Sequence, residues 1–287
     1  MDDILYESAN TTVKRGTWRQ QPAVFKTLKP HAFSPGAINR YQREYDLIRS
    51  LTSPCVCQPL AFDEDGIRII FADEGAIALR DYLTEEVGFA ERLNIAAQLS
   101  GALQSIHDEG VIHRDINPSN VVVIEGADGG LTLRIIDFGL ATLDSHVHPA
   151  TAAGDAAISL TGTLPYISPE QTGRVNRTVD YRTDLYSLGA TLYELFCGHP
   201  PFEHVDPLEL IHAHIASTST PLHVVDPDLP EWLGDIVGRL LSKQPEKRYQ
   251  SAGSVQHDLA EAAQFANVVP FRLGSTDSVP QTRVSTE

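Results

Sequence analysis

The stretch Thr183–Phe196 carries apolar side chains nearly all the way round a helical projection, and no other feature constrains the fold as strongly. A helix with almost no polar face must be enclosed on every side. No apolar run in the chain reaches the length of a membrane span. The segment therefore reads as the buried central helix of a large helical body, ended by Gly198 and the two prolines that follow. The chain has 287 residues, enough for one large domain or two lobes sharing a cleft.

The sequence upstream has a different character. Over the first ~75 residues, alternation and β-branched content predict strands, including Thr11–Arg15, Ala23–Lys26 and Ile67–Ala72. Gly16 and Gln20-Gln21-Pro22 read as turn material between the first two. Ser34-Pro35 introduces a helix over Gly36–Ser50. Beyond this lobe the period becomes helical. Phe89–His107 places Leu93, Ala96, Leu99, Leu103 and Ile106 on one face, with Gly110 as a stop signal. Short strands are predicted at Val121–Ile124 and Leu131–Ile136, and further helices near Leu208–Ala216, Glu231–Leu241 and Ser251–Ala263. The layout is α+β and bilobal, with a β-rich N-lobe over 1–75, a helical C-lobe over 76–265, and a tail or linker over 266–287. A cleft between lobes is a common ligand site.

Composition narrows the partners. Lys plus Arg is 22 and Asp plus Glu is 38, a formal charge of −16. That argues against nucleic acid and against an anionic membrane surface, both of which need a basic face. The acidic start MDDILYES is no signal peptide, and three cysteines make no disulfide framework. A reducing cytoplasmic setting is expected.

The chemistry concentrates in two segments. His113-Arg114-Asp115-Ile116-Asn117-Pro118-Ser119-Asn120 lies between a long helix and a strand. Such a loop can aim a carboxylate and an amide into the same space. The carboxylate can accept a hydroxyl proton, and the amide oxygen can bind a hard cation. Seventeen residues after Asn120, the run Ile135-Ile136-Asp137-Phe138-Gly139 puts an Asp at the end of a buried strand, suited to holding Mg²⁺ against phosphate oxygens. Taken singly, each segment is equally a loop with polar caps.

Together they resemble the catalytic core of the protein kinase superfamily, over about Tyr6 to Ala263. Lys26 matches the strand lysine that grips nucleotide phosphates, and Glu44 its ion-pair partner. Ser168-Pro169-Glu170 stands where the family has Ala-Pro-Glu. Asp184–Gly189 matches the start of the central helix, and Arg248 the late arginine that pairs with Glu170. The resemblance implies ATP and Mg²⁺ as cofactors and a protein Ser/Thr hydroxyl as acceptor. Asp115 would orient and deprotonate that hydroxyl, and Asn120 and Asp137 would hold the metal. Val13, Val24 and Val122 would sandwich the adenine, with Ala72–Gly75 offering backbone hydrogen bonds to its edge. Ile48, Leu60, His113 and Phe138 would stack as an apolar column through both lobes. A narrower likeness, in Ile167-Ser168-Pro169-Glu170-Gln171-Thr172-Gly173-Arg174-Val175-Asn176-Arg177, is to the N-terminal kinase module of large bacterial, often cyanobacterial, signalling proteins. In those, ATPase-like and sensor histidine kinase modules follow. Here the chain ends soon after Phe271–Gly274, which reads as a free-standing or truncated relative that meets such modules in trans.

Three departures from the family pattern stand out. The phosphate-covering loop has Tyr6, Ser8 and Thr11 where the family has glycine, a cost of ~1–3 kcal/mol if positive φ is required there. The loop must then use another geometry or grip ATP weakly. Asn117 replaces the lysine that most members carry, worth roughly 3 kcal/mol at the γ-phosphate. Val24 replaces a usual Ala. The activation segment over 137–170 contains Thr151, Ser159, Thr161 and Thr163. Thr163 resembles the threonine that contacts the catalytic Asp in Ser/Thr-directed members, and Ser159 or Thr161, once phosphorylated, would dock on Arg114. Against the kinase stands a pseudokinase, a nucleotide-binding scaffold with little transfer. A small-molecule phosphotransferase is the third reading. Cys55-Val56-Cys57, His146 with His148, and His212 with His214 offer no convincing metal site, and Arg174, Arg177 and Arg182 read as a solvated, partly paired basic set.

Overall fold

Alternating residues of the first third pair into one antiparallel sheet. In the computed structural model, residues 3–83, 87–127, 129–144, 164–265 and 276–278 are described. Strands β1 (Ile4–Glu7), β2 (Thr11–Trp18) and β3 (Gln21–Leu28) lead to helix α1 (Pro35–Ser50), then β4 (Pro59–Asp63) and β5 (Arg68–Ala72). The strand order is β1-β2-β3-β5-β4. Ser34 caps α1 by accepting from the Ala37 N–H at 3.2 Å, and Pro35 sits at the first helical position. The helix buries Ala37, Tyr41, Glu44 and Ile48. Ala37 and Tyr41 pack with Leu28, Ile67 and Ile69 of the sheet side.

Gly16 lies inside β2 rather than in a turn. It pairs with Ala23, and a Cβ there would stand 3.0 Å from the Phe25 ring, so glycine makes room for an aromatic side chain across the ladder. The turn falls instead at Arg19 and Gln20, both at positive φ. Leu60 also departs from expectation. It sits at the register shift between β4 and β5 and is 46% exposed, so it does not join the apolar column.

The larger lobe follows with β6 (Ile77–Ala78), α2 (Leu79–Tyr82), α3 (Phe89–Asp108), β7 (Val111–Ile112), β8 (Val121–Glu125), β9 (Leu131–Ile135) and β10 (Thr142–Leu143). Then come α4 (Arg182–Cys197), α5 (Pro207–Ala216), α6 (Leu222–Val225), α7 (Glu231–Leu240) and α8 (Ala252–Phe265). Helix α4 is buried from Thr183 to Tyr193 without a break, as its all-round apolar pattern requires. At Gly189 a Cβ would meet Leu240 at 2.7 Å, so glycine sets the close approach of α4 and α7. One core cluster runs from Ile48 of α1 through Phe138 and α3 to α4, α7 and α8, joining the two lobes. Burial of this kind is the main stabilising term, at about 25 cal/mol per Å² of apolar surface. Beyond α8, Asp277 packs back on the body. It accepts from the Gln250 N–H at 2.7 Å and pairs with Arg239 at 2.6 Å, so this part of the expected frayed tail is anchored.

Candidate active site

The loop between β7 and β8 is shaped by a charge that an apolar helix would otherwise exclude. Asp184, fully buried in α4, accepts from the backbone N–H of His113 at 2.8 Å and of Arg114 at 2.7 Å. It also meets His107 Nε2 at 2.9 Å. Arg114 has φ 67°, a conformation costing ~1–3 kcal/mol for a non-glycine residue. The two charge-assisted bonds offset that cost and fix the backbone that leads into Asp115.

Asp115 is then gripped by two amides. Asn117 Nδ2 donates to Asp115 Oδ1 at 3.0 Å, and Asn120 Nδ2 donates to Oδ2 at 2.8 Å. Both amides also donate to the Asp115 carbonyl, at 3.1 and 2.9 Å. Asn117 Oδ1 accepts from the Ser119 N–H at 2.9 Å, which fixes its own amide plane. The loop is tied to the second chemical segment by the Ile136 N–H, which donates to Asn120 O at 2.9 Å.

From the sheet side comes Lys26. Its ammonium donates to Glu44 Oε1 and Oε2 at 2.7 and 2.9 Å and to Asp137 Oδ1 at 2.8 Å. Burial alone would lower the Lys26 pKa, but the attraction of Asp137 and Glu44 outweighs it and holds the group charged, well above its ordinary value. Burial pushes Asp137 the other way, and Lys26 overrides it, so Asp137 stays an anion with its pKa lowered. Burial lifts the Glu44 carboxyl despite Lys26. The Asp137 side chain remains 42% exposed, in a backbone conformation with φ 63°. Phe138 packs beneath it, its ring edge-on to His113 with centroids 4.8 Å apart. Burial lowers the His113 pKa, so the imidazole is neutral, and Nε2 lies 3.1 Å from Ile136 O. Of the four column residues, Ile48, His113 and Phe138 are buried.

Val13 and Lys26 are ladder partners, as are Arg15 with Val24 and Val24 with Phe71. Side chains paired this way share a sheet face, so Val13 and Val24 line the face that carries Lys26. Val122, buried in β8, belongs to the other lobe. Sequence reasoning missed Phe71, which is partly buried against both the α1-side cluster and the main core. It also missed Arg15. That guanidinium bonds Asp73 at 3.1 Å and Ala76 O at 3.0 Å, tying β2 to the segment between the lobes. There the Asp73 N–H donates to Pro22 O and the Gly75 N–H to Asp73 Oδ1, so those two donors are engaged within the protein.

The loop with no glycine uses another geometry. No residue from Tyr6 to Thr11 has positive φ, so the feared strain is absent. Ser8 Oγ instead accepts from the N–H groups of Asn10 and Thr11, at 3.4 and 3.0 Å, closing a side-chain-built turn. Elsewhere, Arg248 and Glu170 form a fully buried two-point pair at 2.5 and 2.8 Å. Arg177 pairs with Glu246 and Arg182 with Asp180, in keeping with the partly paired basic set that the sequence suggests. Cys55, Cys57 and Cys197 are free, and His214 is a core residue against Tyr186 and Phe202. Among the described residues no cluster of three or more His, Cys, Asp or Glu side chains is placed to hold a metal. Thr151, Ser159, Thr161 and Thr163, with His146 and His148, lie outside the described residues.

Comparison with known proteins agrees with this geometry. The chain is 34% identical over 252 residues to the serine/threonine-protein kinase pkn2 of Myxococcus xanthus, covering 86% of this chain and 30% of that protein. It is 31% identical to a probable serine/threonine-protein kinase of Clostridium perfringens, over 86% of this chain and 35% of the other. A probable serine/threonine-protein kinase PknB of Corynebacterium glutamicum is 33% identical over 72% of this chain and 32% of its own length. The chain thus spans about a third of each of these relatives. The protein kinase domain family matches residues 8–260, and with Lys26, Glu44 and Asp137 joined by ion pairs, the chain belongs to that family.

Proposed function

We propose that this chain transfers the γ-phosphoryl group of ATP to Ser or Thr hydroxyls of protein substrates. The observation that carries the reading is that Lys26, held by Glu44, bonds Asp137, while Asn117 and Asn120 grip Asp115 on a loop whose Asn120 carbonyl accepts from the Ile136 N–H next to Asp137. Phosphoryl transfer asks mainly for positioning and charge neutralisation, and this cluster offers both.

The residues fit ATP and a divalent ion. Asp137 presents a half-exposed carboxylate kept ionised by Lys26, and Asn120 adds an amide, the oxygen chemistry that Mg²⁺ takes with only one or two protein ligands. When bound, the metal neutralises charge on the phosphates. Lys26 would bind the nucleotide phosphates, and Glu44 keeps its ammonium aimed. Asp115 would orient the acceptor hydroxyl and take its proton, with its carboxylate plane already set by Asn117 and Asn120. Asn117 does not supply the charge of the usual lysine, but it has a task that the sequence did not show. Val13, Val24 and Val122 would enclose the base. Thr163 remains our candidate for a contact between substrate platform and Asp115.

Several finer readings rest on the same resemblance. The Ile167–Arg177 run supports the N-terminal module of a larger bacterial signalling protein, with ATPase or histidine kinase modules as partners in trans. Arg114 Nε is buried with no partner among the described residues, which suits docking of a phosphorylated loop residue. No described helix is long and apolar enough to cross a membrane. We read the setting as cytoplasmic, with no nucleic acid partner. The scaffold alternative loses one support, because the loop without glycine carries no backbone strain.

The test is incubation with Mg²⁺ and γ-labelled ATP, alone and with a generic protein substrate, beside Asp115→Asn. Label transfer by the parent and its loss in the variant, with nucleotide-dependent thermal stabilisation retained in both, is the expected result. Stabilisation without any transfer by the parent would establish the scaffold instead.

A further inference from the structure

The loop over Ser8–Thr11 is held from outside at three successive carbonyls. Lys29 Nζ donates to Ser8 O at 2.7 Å, His31 Nε2 to Ala9 O at 2.8 Å, and the Lys29 N–H to Asn10 O at 2.8 Å. Lys29 also pairs with Glu7 at 2.7 Å. All these anchors come from the segment joining β3 to α1. On the inner side there is one further tie. Thr11 Oγ1 and Tyr41 Oη lie 2.7 Å apart, bridging the loop to α1 itself. Tyr41 sits one helical turn before Glu44 on the same buried face, and the Lys26 ammonium stands 5.7 Å from its ring centroid.

We propose that Tyr41 is a positioning residue for the nucleotide, holding the phosphate-covering loop through Thr11 in step with the helix that carries Glu44. The proposal rests on the kinase reading above. A glycine-rich loop gains its closed form when nucleotide binds. Here side-chain and backbone ties hold the loop in one form, and a movement of α1 would carry Glu44 and Thr11 together. Removing the inner tie leaves the loop to be ordered by the nucleotide, which weakens binding without altering the groups that act on the transferred phosphoryl. Thr11 at the family's glycine position is thus the receiving half of a latch.

The experiment compares the full chain with Tyr41→Phe, Thr11→Val, Thr11→Ser and the double variant Tyr41→Phe/Thr11→Val. Steady-state transfer gives KM for MgATP and kcat, and calorimetric titration with MgADP gives affinity independently of transfer. Loss of one partly buried hydrogen bond predicts a roughly three- to tenfold rise in KM and in the MgADP Kd for either single variant. The kcat at saturating MgATP is expected to hold within about twofold, the double variant to be no worse than either single one, and Thr11→Ser to behave as the parent. An unchanged KM in Tyr41→Phe would overturn the proposal. So would single effects that multiply in the double variant, or a fall in kcat at constant KM. A parent chain that neither takes up MgADP nor transfers phosphate would sink the kinase reading itself, before any substitution is compared.

Discussion

Asn117→Asp probes the grip on Asp115 most directly. The substitution keeps size and shape, and Oδ1 can still accept from the Ser119 N–H, so the loop has no steric reason to move. It replaces the donor 3.0 Å from Asp115 Oδ1 with a second anionic oxygen. Two unit charges at that separation repel by about 5 kcal/mol at an effective dielectric near 20. Partial exposure of Asp115 to solvent reduces this to ~2–3 kcal/mol, so we expect kcat to fall by about 30- to 150-fold. Asn117 touches neither Lys26 nor Glu44, so MgADP affinity should be unchanged within about twofold. Initial rates with a generic protein substrate at saturating MgATP, beside MgADP titration and a thermal melt, separate the outcomes. A kcat within threefold of the parent would refute the assigned role. A loss matched by collapse of the melting temperature would show instead that Asn117 only holds the loop together.

Two further expectations concern stability. Arg248→Met strands the Glu170 carboxylate in the interior, where both side chains are essentially unexposed, and should cost about 3–5 kcal/mol, a drop in melting temperature on the order of 10 °C. Recovery of most of that loss by adding Glu170→Met identifies the stranded charge as the cause, and a single-variant cost below about 1 kcal/mol contradicts it. His214 is held down to about 3 by burial and by Lys243, from an ordinary 6.5. The folded protein keeps it neutral while the unfolded chain takes up a proton below that value. Its contribution is therefore complete above pH 6.5 and is lost as pH falls toward 3, by about 2 kcal/mol between pH 7 and 5. Urea unfolding at those two pH values should show a shallower loss for His214→Gln than for the parent, and equal losses would contradict the assignment.

The chain itself determined much of this molecule. The all-round apolar pattern of Thr183–Phe196 requires a central helix, and Ser34-Pro35 sets the start of α1. Asp115, Asn120 and Asp137 carry their expected chemistry through the family that their motifs resemble. These are local signals, because periodicity, caps and motif spacing act over a few residues. What depends on distant partners was not legible. Gly16 reads as a turn until the Phe25 ring appears across the ladder. Leu60 reads as core until the β4 register shifts. Thr11, Ser8 and Asn117 look like losses from a pattern. Only the tertiary structure shows Thr11 meeting Tyr41 thirty residues away, and Asp184 arriving from α4 to hold the loop that aims Asp115. The physical reason is that a hydroxyl or carboxylate acquires its energetic meaning from what it faces, and what it faces is decided by packing rather than by neighbours in the chain.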